Sequence, residues 1–222
     1  MNFVCGSTQT ISLAATEPKL DSVLRIQGYK NPEGVRRVIR DLAAIAVEAF
    51  VENATPEVSY RVAKIECVDS TGLRLESGVY LENPIFGQYL AEATQVVVFA
   101  LTVGERIDQQ TIEWMNQEKL VEALFLESAA WLGVEDVTKQ FVVLLRKWAT
   151  EQNMRISRRL GPGYSYPVNG QQIQWDLYDQ HPLFQMFSDT KIAVKLLESS
   201  AMLPKMSRSG MFGLIPRQPL QA

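Results

Sequence analysis

The sequence predicts an α+β fold with a largely antiparallel sheet, and three observations carry the prediction. Residues 58–68 are rich in β-branched and aromatic side chains, and Ser70-Thr71-Gly72 is a turn followed by Leu73, Leu75 and Val79, the pattern of a β-hairpin. Residues 118–153 place Leu124, Phe125, Trp131, Leu132, Val134, Val137, Phe141, Leu144, Leu145 and Trp148 on one broad face, the longest helical pattern in the chain. Helical and hairpin patterns follow one another without strict β-α-β alternation, which argues against a parallel sheet. With 222 residues, 46% hydrophobic, the chain has enough apolar material for one large domain.

Taken in order, residues 1–19 are small and polar, with Ser7, Thr8, Thr10 and Ser12, and read as a loosely held arm or an edge strand. Residues 20–29 fit neither period. Asn31-Pro32-Glu33 supplies the proline of a first helical turn, and Val35, Val38, Ile39, Leu42, Ile45, Ala46 and Ala49 recur at helical spacing to about Asn53. After the hairpin, Pro84 opens a short helix carrying Phe86, Tyr89 and Leu90. Residues 95–103 are a continuous apolar run, expected of a strand buried on both faces. Gly104 follows, and a helix starts at Glu105. A dinucleotide fingerprint would need three glycines at this junction, and only one is present. Gly133 sits inside the long helical pattern, where glycine costs about 1 kcal/mol against alanine. A helix break, a close helix crossing or a ligand leaning on bare backbone would each account for it. Residues 170–175 read as a hairpin or loop excursion, 178–187 as a short helix, 191–199 as a strand, and 202–216 as a turn and a last strand.

Composition excludes several classes of function. A net charge of −3 gives no support for nucleic-acid binding. Cys5 and Cys67 are isolated and His181 is the single histidine, so no zinc or iron–sulfur spacing can be assembled. A Ser-His-acid site built on His181 lacks its Gly-x-Ser-x-Gly elbow, and a surface histidine beside Pro182 is the better reading. The sequence has neither a basic leader nor an apolar run of about 18 residues. The expectation is a cytoplasmic protein with reduced thiols that engages no membrane.

The most informative stretch is Arg159-Leu160-Gly161-Pro162-Gly163-Tyr164-Ser165-Tyr166-Pro167, approached through Arg155 and Arg158. Gly161 and Gly163 permit positive φ and let a ligand meet bare backbone, while Pro162 and Pro167 stiffen the turn. Arg159 offers a planar fork for a carboxylate or phosphate, and Tyr164 and Tyr166 offer ring faces that attract a cation. Together they suit a zwitterion that also carries a positive sulfur. The plainer reading is a helix stop with packed aromatics. Glu135 has two readings of the same kind, a solvated helix carboxylate or an acceptor for a ligand amine.

Three motifs occur in one order: Phe99-Ala100-Leu101-Thr102-x-Gly104, then Arg159-x-Gly161-Pro162-Gly163-Tyr164, then Val194-Lys195-Leu196-x-Glu198-Ser199-x-Ala201-Met202-x-Pro204-x-x-Ser207-x-Ser209-Gly210. The set resembles the S-adenosylmethionine-binding reactivation (activation) domain of cobalamin-dependent methionine synthase, and more closely the short stand-alone proteins of that family. The resemblance spans residues 20–216, leaving 1–19 as an N-terminal arm and 217–222 as a tail.

The resemblance implies a C-shaped α+β domain with a twisted antiparallel sheet flanked by helices. It implies an S-adenosylmethionine-binding module that supports reductive methylation, and so reactivation, of cob(II)alamin on a separate corrinoid-dependent methionine synthase. The cobalamin would be carried by that partner, and a flavodoxin-like protein would supply electrons. Carried over by position, Arg159 would hold the methionine carboxylate, the backbone at Gly161 and Gly163 would line the adenosyl group, Tyr164 would pack by the cofactor and Glu135 would take the amino group. No acid–base residue is implied, because the reduced cobalt and the activated methyl supply the chemistry and the protein positions them. Two features depart from the family. Its late aromatic segment has no counterpart after Pro216, and the excursion at residues 169–175 follows the turn directly. These favour an alternative, a non-catalytic accessory protein docking on the corrinoid protein of another methyltransferase system without S-adenosylmethionine; the intact turn favours the first reading. A generic small-molecule methyltransferase is disfavoured by the missing glycine fingerprint and the absence of a base.

Overall fold

The computed structural model describes residues 5–217. In chain order the elements are β1 (Thr8–Ser12), α1 (Leu20–Ile26), α2 (Arg37–Asn53), β2 (Glu57–Val68), β3 (Gly72–Leu75), β4 (Tyr80–Glu82), α3 (Ile85–Leu90), β5 (Gln95–Thr102), α4 (Glu105–Asn116), α5 (Leu120–Glu151), β6 (Met154–Ile156), β7 (Ser165–Val168), β8 (Gln171–Gln174), α6 (Gln180–Gln185), β9 (Lys195–Leu196), β10 (Met202–Leu203) and β11 (Ser207–Pro216). The main sheet runs β4-β3-β2-β5-β11-β6, with β1 beside the first half of β2, and every pairing in it is antiparallel. The expected fold class, α+β with a largely antiparallel sheet flanked by helices, is what the chain adopts.

The apolar run of β5 explains the layering. Alternate side chains of a strand point to opposite faces. Val97, Phe99 and Leu101 therefore pack under α2 and α5 with Phe50 and Phe141, while Val96, Val98 and Ala100 pack on the other side with Phe86, Trp175 and Leu183. Phe141 of α5 reaches three strands, with ring centroids 5.7 Å from Tyr60, 5.5 Å from Phe99 and 6.5 Å from Phe212. β5 is buried on both faces because β2 and β11 flank it along its length and a separate apolar cluster covers each side.

α5 has 32 residues and runs unbroken through Gly133. Its limits are set by two residues in the left-handed region, Glu118 (φ 61°) before it and Asn153 (φ 56°) after it. Of the three accounts of Gly133, the helix crossing holds. A Cβ there would lie 2.3 Å from the ring of Phe50 on α2.

Two sequence expectations need adjustment, and two readings left open are decided. Residues 20–29, ambiguous in pattern, contain α1, whose Val23 and Leu24 are fully buried. The proline at 32 opens only a 3-10 turn, Pro32–Gly34; Val35 is extended (φ −72°, ψ 134°), and the α-helix begins at Arg37. Residues 191–199 are not a continuous strand. Only Lys195–Leu196 pairs, with Met202–Leu203, because a turn closed by Leu197 N–H to Ala201 C=O (2.8 Å), with Ser200 at φ 64°, bends the chain back at once. Among the first residues, Thr8–Ser12 is an edge strand of the main sheet, and of the two readings offered for the arm it is this one that the described part adopts. Residues 1–4 of that arm and 218–222 of the tail lie outside the described residues.

Candidate functional site

The stretch following α5 is built on β11. Asn153 turns the chain into β6, and beyond it Leu160 and Met211 exchange both backbone hydrogen bonds, at 2.8 and 2.9 Å. Gly210 makes that approach feasible, since a Cβ there would sit 2.5 Å from the Leu160 carbonyl oxygen. The chain then turns with Gly163 at φ 84°. Gly161 N–H donates to the Tyr166 hydroxyl (2.7 Å), which donates back to the Gly161 carbonyl (3.2 Å). Gly163 N–H donates to the Trp175 carbonyl (2.7 Å), and Trp175 N–H donates to the Tyr164 carbonyl (2.9 Å). Trp175 is fully buried, its ring edge-on to Phe86 at 5.1 Å. The turn is therefore clamped from inside by the β7–β8 hairpin region. Both glycine amides that the sequence offered to a ligand are occupied by the protein itself. Burial raises the Tyr166 hydroxyl above its ordinary range, the Gly161 contact and the nearby Arg159 and Arg158 opposing it, so it stays a neutral donor and acceptor.

The three arginines before the turn diverge. Arg155 pairs with Glu92. The Arg158 guanidinium lies over Tyr89 (5.0 Å) and Tyr166 (5.2 Å). That of Arg159 lies over Tyr164 at 5.1 Å, and its Nη1 is buried with no hydrogen-bond partner among the described residues. A buried guanidinium nitrogen without an acceptor is costly, and a carboxylate or phosphate is the group that satisfies it.

Tyr164 borders a cleft of about 330 Å³. Trp131 and Val134 of α5 form one wall, Pro162, Gly163 and Tyr164 another, and Met206, Ser207, Arg208 and Ser209 at the start of β11 a third, with Leu177 and Gln180 between. Trp131, Tyr164 and Leu177 are each about half exposed at its rim. Gln180 is buried and fixed by Ser209 (2.8 Å) and the Ser200 carbonyl (2.9 Å). A larger cleft, of about 570 Å³, lies elsewhere, lined in part by Thr55, Glu57, Gly104, Glu105 and Lys191. A carboxylate ligand there would face Glu57 and Glu105 as well as Lys191, whereas the smaller cleft is bordered by the Tyr164 ring on which Arg159 stacks.

The fold resembles that of the MetH reactivation domain bound to AdoHcy. The TM-score is 0.63 and the sequence identity 14%, over 97% of this chain and 81% of that one. At that identity the likeness establishes the architecture alone. No protein-family model matches the sequence, and no curated protein does.

Within this architecture the predicted site residues divide. Gly163 and Tyr164 line the cleft, and Arg159 stacks on Tyr164. Gly161 is buried one step behind, a Cβ there falling 3.3 Å from the Ser209 carbonyl and 3.5 Å from the Tyr164 ring. Glu135 is on α5, four residues from Trp131, but its carboxylate is held by Arg208. The guanidinium of Arg208 keeps that carboxyl below the ordinary glutamate range, with Arg159 and Lys139 adding to the effect and burial opposing it. Sequence reasoning missed Arg208, Trp131 as a rim residue and Trp175 as the clamp. Arg208 lay inside a quoted motif at an unspecified position, and nothing local marks it as facing α5. His181 is half-buried rather than on the surface, its ring 4.8 Å from Tyr178. Among the described residues no helix is long and apolar enough to cross a membrane.

Proposed function

We propose that the cleft beside residues 162–164 binds S-adenosylmethionine, and its product S-adenosylhomocysteine, and that the protein supports reductive methylation of cob(II)alamin on a separate corrinoid-dependent methionine synthase, with a flavodoxin-like electron donor. The observation that carries the reading is the buried, unpartnered Nη1 of Arg159, whose guanidinium lies over the Tyr164 ring that lines the cleft. The likeness in fold to a domain bound to AdoHcy supports it. S-adenosylmethionine supplies the activated methyl, and the partner's cobalamin, once reduced, receives it. The chain's own residues hold and orient: Arg159 takes the carboxylate, the half-exposed Tyr164 ring offers its face to the sulfonium, and Trp131 and Leu177 shield the cleft from water.

Calorimetric titration of the purified protein with S-adenosylmethionine and S-adenosylhomocysteine tests this. Binding in the micromolar range is expected. Arg159→Ala should weaken it at least tenfold, about 1.4 kcal/mol, as for loss of a charge-assisted hydrogen bond. An unchanged affinity in that variant removes Arg159 from the site. A second reading, an accessory protein docking on the corrinoid protein of another methyltransferase system without S-adenosylmethionine, is favoured by one observation: the Gly161 and Gly163 amides and the Glu135 carboxylate are all engaged within the chain. Absence of binding up to millimolar ligand would mean either a site completed only by the corrinoid partner or this accessory role, and binding repeated in the presence of a corrinoid protein separates the two.

A further inference from the structure

The charged end of the cleft contains a group that the proposed function leaves unused. Arg208 lines the cleft, yet its side chain is only 10% exposed and both terminal nitrogens are engaged on α5. Nη2 donates to the Glu135 carboxylate, and Nη1 donates to Thr138 Oγ1 at 2.9 Å. Thr138 in turn donates to the Val134 carbonyl at 2.7 Å, so its oxygen is oriented to accept. Trp131, Glu135 and Thr138 follow at spacings of four and three, on one face of α5. The carboxylate that could receive a ligand ammonium therefore already receives a guanidinium, in a geometry anchored at two points.

Exchange is unfavourable on two counts. Displacing Arg208 from Glu135 would leave a nearly buried guanidinium without its counter-charge. An incoming ammonium would also approach a carboxylate already under the influence of Arg208, Arg159 and Lys139, so a further cation meets surplus positive charge. Arg159, by contrast, has a buried nitrogen with no hydrogen-bond acceptor among the described residues.

Resting on the reading of the cleft as a nucleoside and amino-acid site, we infer that Arg208 sets its specificity: it occupies Glu135 where a ligand's amino group would bind, so that the cleft selects its ligand by carboxylate and nucleoside and is indifferent to the α-amino group. The ligand class it admits is thus wider than α-amino acids, extending to adenosyl thioethers that end in a plain carboxylate.

The test is calorimetric titration of the full chain, wild type and Arg208→Met, with S-adenosylhomocysteine and with desamino-S-adenosylhomocysteine, which lacks only the amino group. The wild type should bind the two within about twofold. Arg208→Met frees Glu135 and should bind S-adenosylhomocysteine about tenfold or more tightly than the desamino compound, the scale of one charge-assisted contact. A wild-type preference of tenfold for the amino-bearing ligand overturns the inference while leaving the cleft assignment standing, as does a variant that still ignores the amino group. If neither compound binds the wild type, the cleft assignment falls and takes this inference with it. Should the variant fail to fold, the wild-type ratio decides alone.

Discussion

Glu135 and Gly163 show how single residues of the candidate site can be tested for their structural part separately from ligand binding. The Glu135 carboxyl is held below its ordinary value of 4.5, first by the hydrogen bond from Arg208. A carboxylate whose folded pKa is depressed contributes stability that is fully present above the unfolded value and is lost as pH falls through the folded one. The wild type should therefore lose melting temperature on acidification below pH 4.5 more steeply than Arg208→Met, measured by thermal unfolding at successive pH values. Parallel curves would show that the pair adds no pH-dependent stability. Gly163 has φ 84°, and a Cβ would fall 3.3 Å from the Leu177 side chain. Valine should destabilise the fold by about 1–2 kcal/mol, the cost of forcing a β-branched residue into the left-handed region, seen as a lower urea midpoint. A midpoint equal to wild type would mean that the turn relaxes freely. The sequence disclosed that these glycines shape a turn. It could not disclose that Tyr166 and Trp175 would take their amides, because those hydrogen bonds depend on how the turn folds back on itself and on β8.

At the scale of elements, α5 and its neighbours were the most legible part. Apolar residues at helical spacing over residues 118–153 leave no strand-like alternative, and the predicted limits fall within two residues of those observed. Gly133 was legible as an anomaly only; that Phe50 of α2 fills the place of its missing side chain depends on the helix pairing. Gly133→Leu should therefore destabilise by about 1–3 kcal/mol through overpacking, although leucine is the better helix former. If chemical denaturation shows the variant equal to or more stable than wild type, the crossing is not close in solution. Residues 191–199 gave the opposite result. Their apolar and β-branched content suggests a strand, but Leu197 to Ala201 close a turn before more than two residues can pair.

For the molecule as a whole, the decisive feature is one sheet with a separate apolar cluster on each face. Phe141 ties α5 to three strands through Tyr60, Phe99 and Phe212. Phe141→Ala should cost about 3–5 kcal/mol, measured by urea unfolding. A loss under about 1 kcal/mol would mean that the helical layer closes over the gap. The sequence by itself determined the class of the fold, the central strand, the helices other than α1 and the existence of a stiff turn with an arginine before it, because those follow from local periodicity and from glycine and proline chemistry. Only the tertiary structure decided that the neighbouring arginines Arg155, Arg158 and Arg159 go to different partners, that the glycine amides face inward, and that Arg208, 73 residues from Glu135, takes the carboxylate assigned to a ligand. Such pairings are made between elements distant in the chain, and periodicity along one element carries no information about which charge on another will meet it.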